Sequence, residues 1–163
     1  EIGLLAKPFI DRFKNKHTLK LYSDEELKAI AASNVDKLKI SLSEDAMDFV
    51  ATISKGTPRI VNSTLEWVRD YKIANNLGQL SVEDVGEAMK IRGIDANGLT
   101  DVDRQYLRAL NNSDMPLGIS TIAATIGIDR ATIEDTIEPW LLRNDIILKT
   151  PRGRILNRDK VRV

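Results

Sequence analysis

The sequence predicts a mainly helical chain, a small four-helix bundle followed by a winged helix, and three observations carry that prediction. Capping signals, each followed by apolar residues at helical spacing, crowd into residues 23–91. Two glycines within six residues, Gly93 and Gly98, then interrupt the pattern. Beyond them, short helices joined by a glycine turn precede two short strand-like segments around a proline-glycine turn, the order of a helix-turn-helix with a β-hairpin wing.

The elements follow in order. Residues 1–22 are rich in lysine and short on helical period, with Leu19, Leu21 and Tyr22 read as an extended stretch. Ser23-Asp24-Glu25-Glu26 is a capping box ahead of a helix whose apolar face is Leu27, Ile30, Ala31, Val35 and Leu38. Ser43 caps a second helix with Ala46, Phe49, Val50 and Ile53 inward. Gly56 ends it, and Thr57-Pro58 starts a third as N-cap and first helical residue, with Ile60, Val61, Leu65, Val68 and Tyr71 on one face. Ser81 caps a fourth, carrying Val82, Val85 and Met89. After the glycine break, Thr100 opens a helix with Val102, Tyr106, Leu107 and Leu110, and Asn111–Asp114 is a turn. Ile119, Ile122, Ala123 and Ile126 form a helix closed by Gly127, and Asp129 caps the next, with Ile133, Ile137, Trp140 and Leu141. Pro139 inside that helix removes a hydrogen bond and predicts a kink. Ile146–Leu148 and Arg154–Leu156 are the strands of a hairpin around Thr150-Pro151-Arg152-Gly153. The expected domains are therefore 1–22 as a leading segment, 23–95 as the bundle and 96–163 as the winged helix.

Composition removes several chemistries. Of 163 residues, 24 are basic and 24 acidic, with one histidine and no cysteine. There is no disulfide, thiol nucleophile or zinc ribbon to build, and His17 alone makes neither a histidine metal site nor a triad; it reads as a surface residue. No phosphate loop of the G-x-x-x-x-G-K-[ST] kind is present. The chain opens Glu1-Ile2-Gly3-Leu4-Leu5-Ala6-Lys7-Pro8, without an initiator methionine or a basic signal-peptide region, and the expectation is a piece of a longer cytoplasmic protein. Trp67 and Trp140, at helical spacing, are expected in the core.

Zero net charge means that any nucleic-acid surface is local. The wing supplies one. Between residues 143 and 163 stand Arg143, Lys149, Arg152, Arg154, Arg158, Lys160 and Arg162 against Asp145 and Asp159, a net of +5. Guanidinium forks around a Pro-Arg-Gly tip suit a phosphate backbone. The helix before it carries Asp129, Glu134, Asp135 and Glu138 against Arg130 alone, which opposes base reading through it and favours a grip without sequence preference. A second signal is Arg59, a cation in the first turn of a helix, where a bound anion would relieve its conflict with the dipole.

Five stretches, taken in order, resemble the RuvB family of Holliday-junction branch-migration motors, of the AAA+ class. They are Pro8-Phe9-Ile10-Asp11-Arg12-Phe13, Ser54-Lys55-Gly56-Thr57-Pro58-Arg59-Ile60, Val68-Arg69-Asp70-Tyr71, Thr132–Leu141 and Thr150-Pro151-Arg152-Gly153-Arg154. The resemblance implies an AAA+ lid followed by a winged-helix DNA-binding domain, with residues 1–22 as the end of an ATPase domain that lies outside this chain. It implies ATP contacts at Arg12, Tyr22 and Arg59, and DNA contacts at Arg130, Lys149 and Arg154, with Arg152 beside them. It also implies ATP and magnesium as cofactors held mainly by the ATPase domain. The implied partners are Holliday-junction DNA, a homo-hexameric ring and RuvA, in a bacterial cytoplasm serving recombination and repair. The sequence departs from the family at Ile10, usually arginine, at Lys14, usually glycine, and at Asn111–Asp114, usually glycine-rich. Two other classes stay open: a winged-helix transcription regulator, which wants a basic recognition helix, and a winged-helix protein adaptor, which wants no salt-dependent DNA affinity.

Overall fold

A computed structural model describes residues 7–15, 17 and 19–160. Arg162, counted above with the wing, and the opening Glu1–Ala6 lie outside the described residues. A single turn, α1 (Lys7–Ile10), precedes the first bundle helix. Leu19 to Tyr22 forms no strand; Leu19 and Lys20 are exposed, Leu21 is half-buried, and the Tyr22 N–H donates to the Gly56 carbonyl at 2.9 Å.

Four helices form the first unit: α2 (Asp24–Leu38), α3 (Glu44–Ile53), α4 (Pro58–Ala74) and α5 (Val82–Ile91). Their starts follow the expected chemistry. Ser23 and Ser81 each complete a reciprocal capping box with Glu26 and Asp84, and Ser43 accepts from the Ala46 amide. Thr57 departs from expectation. It occupies the N-cap position of α4, but its hydroxyl makes no cap bond there. Leu27, Ala31, Val50, Val61, Leu65, Val68, Val85 and Met89 are at most 1% exposed and make one core. Extended segments at Ser41–Ser43 and Leu80 pair between the helices, which ties the α2–α3 and α4–α5 connections together.

The second unit contains α6 (Asp101–Asn111), α7 (Ile119–Ile126), α8 (Arg130–Thr132), α9 (Glu138–Arg143) and the antiparallel strands β1 (Ile147–Thr150) and β2 (Gly153–Leu156). Its own core gathers Tyr106, Leu107, Ile122, Ile133, Leu141 and Ile147. Between α8 and α9, residues Ile133–Ile137 take a wider π-turn, in which the Glu138 amide donates to the Ile133 carbonyl. This is how the chain accommodates Pro139, which has no N–H to give the Asp135 carbonyl four residues back.

The junction between the units is bonded rather than loose. Arg104 donates to the Leu99 carbonyl at 2.6 Å, the Gly93 carbonyl at 2.9 Å, Asp95 at 3.0 Å and Asp101 at 2.6 Å. Asp95 in turn accepts from the amides of Asn97 and Leu99, both at 2.9 Å. Gly98, at φ +74°, lies against Ile53 so closely that a Cβ would meet its Cα at 2.8 Å. Lys55, in the α3–α4 loop, reaches Asp103 of α6 at 2.5 Å and lies over the Trp140 ring at 5.4 Å.

Candidate functional site

The wing carries the basic residues on a two-stranded ribbon in which Lys149 pairs with Arg154 and Thr150 with Gly153. The Thr150 hydroxyl donates to the Gly153 carbonyl at 2.9 Å and accepts from the Arg152 amide at 3.3 Å, so the tip is braced from inside. Arg152 is exposed and makes no ion pair among the described residues. Arg130, in the first turn after Asp129, is likewise exposed. Asp129 caps that turn through the Thr132 amide and hydroxyl, bonds that hold its carboxyl below the usual carboxylate range.

Arg154 is the most buried of the four expected DNA contacts. Expected at the DNA face, it is only 8% exposed. Its Nε donates to Glu138 Oε1 at 2.7 Å, and its Nη2 donates to Glu138 Oε2 at 3.1 Å and to Glu134 Oε1 at 2.9 Å. Glu138 is 1% exposed and also takes the Tyr106 hydroxyl at 2.9 Å and lies 3.3 Å from Lys149 Nζ. Burial would push its carboxyl up. The bonds from Arg154 and Tyr106, with the charges of Arg154 and Lys149, outweigh that and hold it below the usual range. Burial, reinforced by the charge of Glu138, pushes the Tyr106 hydroxyl up.

Lys149 is half-exposed, and its ammonium group is shared with this buried carboxylate. Of the four expected DNA contacts, then, Arg130, Lys149 and Arg152 are exposed and Arg154 is largely buried. Sequence reasoning missed Glu138 as the partner that captures it. One signal was available: alternation along β2 places Arg154 on the same inward face as Leu156. The π-turn, which brings Glu138 inward beside Ile137, had no such signal beyond Pro139.

The lid residues sit elsewhere. Arg59 is exposed in the first turn of α4 and lines a cleft of about 550 Å³ between the two units, with Leu21, Lys55, Asp103 and Trp140. Tyr22 lines a neighbouring cleft of about 280 Å³ with Gly56 and Arg143, and its carbonyl accepts from Arg143 at 3.1 Å. Arg12 is exposed and lines neither cleft. The structure therefore brings Tyr22 and Arg59 to the two sides of the Ser54–Pro58 loop and leaves Arg12 apart. His17 is exposed, and both tryptophans are half-buried, Trp67 donating its ring N–H to the Ala88 carbonyl at 2.8 Å.

Two family models divide the described chain. Residues 22–95 match the RuvB AAA lid domain, and residues 96–162 match the RuvB C-terminal winged helix domain. The chain belongs to the RuvB family. A Holliday junction branch migration complex subunit RuvB from Kosmotoga olearia is 39% identical over 162 residues, which are 98% of this chain and 47% of that relative. The corresponding subunit from Fusobacterium nucleatum is 35% identical over 156 residues, 94% of this chain and 47% of the relative. The solved Thermotoga maritima RuvB Holliday junction branch migration motor superposes with a TM-score of 0.89 at 30% identity, over 96% of this chain and 53% of that one. The chain thus spans about half the length of the curated RuvB relatives it matches. No helix among the described residues is long and apolar enough to cross a membrane.

Proposed function

We propose that this chain is the C-terminal part of an ATP-dependent DNA motor that drives branch migration of Holliday junctions. In it, residues 23–95 sense nucleotide and residues 96–163 hold duplex DNA by its backbone. Residues 1–22 are the end of the ATPase domain, which binds most of the ATP and its magnesium and contacts RuvA, within a homo-hexameric ring in a bacterial cytoplasm. Arg59, with Tyr22 and Arg12, faces the nucleotide; Arg130, Lys149, Arg152 and Arg154 face DNA. The observation that carries the DNA reading is Arg152, an exposed guanidinium at a braced wing tip, without an ion pair among the described residues. The acidic helix beside it argues against a sequence-reading transcription regulator, because Asp129, Glu134, Asp135 and Glu138 outnumber Arg130 on it and its net negative charge would repel phosphates.

Binding of scrambled duplexes to this chain, followed against salt, tests the reading. Arg152→Ala should weaken every duplex about equally and lower the slope of log affinity against log salt by ~0.9. A duplex bound ~1,000-fold better than the rest would favour the regulator instead, and absence of salt-dependent affinity would favour the adaptor. The chain alone should release no phosphate from ATP, because lid residues cannot by themselves align water on a γ-phosphate.

A further inference from the structure

The Ser54–Pro58 loop leads directly into the turn that carries Arg59, and the winged helix grips that loop through a side-chain pair. We propose that Lys55 and Asp103 are positioning residues for ATP hydrolysis: anchored on the winged helix, they fix the loop and thereby the direction in which α4 presents Arg59 to nucleotide. This rests on the reading of Arg59 as a nucleotide-facing residue.

The loop has a backbone that needs holding. Lys55 and Gly56 both take positive φ, +51° and +74°, and at Lys55 the Cβ makes that conformation unfavourable. Such strain persists only where the surroundings over-determine it. Here they do. The Lys55 ammonium group meets Asp103 at 2.5 Å and lies over the Trp140 ring at 5.4 Å. Asp103 is fixed from within the winged helix, because the same Oδ2 accepts from the Thr100 amide at 2.8 Å and the Thr100 hydroxyl at 2.7 Å. The other side of the loop is equally closed. At Gly56 a Cβ would meet the Leu21 Cβ at 2.7 Å and Arg143 Nη1 at 3.3 Å. Within the loop the Thr57 amide donates to the Ser54 carbonyl at 3.0 Å, and the Thr57 hydroxyl turns back to the Lys55 carbonyl at 3.5 Å instead of capping α4. The entry into α4 is therefore set by where Lys55 is held, and Arg59 follows in the first turn. A cation that must meet a phosphate is sensitive to small displacements of its footing.

The test uses a full-length motor rebuilt around this sequence, with ATP turnover and duplex affinity measured at a temperature where circular dichroism shows each variant to be folded. Asp103→Asn removes the anchoring charge from the winged-helix side, and should lower kcat about tenfold with duplex affinity unchanged. Lys55→Gly cuts the same tie while relaxing the positive-φ backbone, so it carries the test if Asp103→Asn does not fold; it should lower kcat alike. Lys55→Arg keeps a cation for Asp103 and should restore most of the turnover. A double-mutant cycle then decides between positioning and stability. In an Arg59→Ala background, Asp103→Asn should cost almost nothing further, because the residue it positions is gone. Equal losses with and without Arg59 would overturn the proposal, since Asp103 would then act through stability alone. Wild-type turnover in both Asp103→Asn and Lys55→Gly would overturn it too. Wild-type turnover in Arg59→Ala itself would defeat the nucleotide reading of Arg59, and the positioning role with it.

Discussion

At the scale of single residues, a charge is worth what its surroundings allow. Glu138 is ionised inside the winged helix because Arg154, Tyr106 and Lys149 converge on it. Its carboxyl is held below the ordinary range, so the pairing stabilises the fold above that range and fades as pH falls through and below it. The stability gap between wild type and Glu138→Gln should accordingly be widest near neutral pH and close as pH falls below the ordinary carboxylate range, as read by denaturant titration at each pH. A gap independent of pH would mean that Glu138 contributes shape and not charge. Arg59 is the opposite case, an exposed cation placed against the positive end of α4. In a full-length motor rebuilt around this sequence, Arg59→Ala should cut ATP hydrolysis sharply while DNA affinity stays as wild type. Loss of one charged hydrogen bond corresponds to roughly 1.5–3 kcal/mol of nucleotide-state discrimination. Wild-type ATPase rates in that variant would reduce Arg59 to a solvated surface residue.

At the scale of elements, starts are easier to read than turns. Thr100 completes a capping box on α6, accepting from the Asp103 amide at 3.3 Å and donating to its carboxylate at 2.7 Å, whereas Thr57 makes no cap bond on α4. Thr100→Ala should therefore cost about 1 kcal/mol in chemical denaturation, and Thr57→Ala only a few tenths. Equal losses would place an unseen cap at Thr57. This contrast also marks what the sequence made legible. Ser23, Ser43, Ser81 and Thr100 announce their helices because the cap is a local bond between near neighbours. The hairpin was readable from apolar stretches on either side of a Pro-Arg-Gly turn, with each strand one residue longer than expected. Pro139 foretold a disturbance without its form, a widened π-turn in which the chain keeps hydrogen bonds by shifting register. The exposed DNA candidates were legible from local charge. The fate of Arg154 was not, because it depends on Glu138, 16 residues away in sequence.

At the scale of the whole molecule, the Lys55 ammonium group joins the loop that precedes Arg59 to Asp103 and Trp140 of the winged helix. Both side chains of the ion pair are largely buried, 15% and 6% exposed, so removing one partner leaves a charge poorly solvated. Lys55→Met should lower stability by about 3 kcal/mol and separate the melting of the two cores in calorimetry. A single, unshifted transition would show that Lys55 joins nothing. The junction beside it has a consequence for how the molecule comes apart. Arg104 clasps the carbonyls of Gly93 and Leu99, and Gly98 is wedged on Ile53. A protease needs several residues of slack chain to seat a substrate strand, and Ile94–Leu99 offers none while those bonds hold. The seam between the two family modules is thus an inheritance boundary without being a weak point. Digestion in native conditions should open the exposed residues Asp11–Asn15 first and spare the seam.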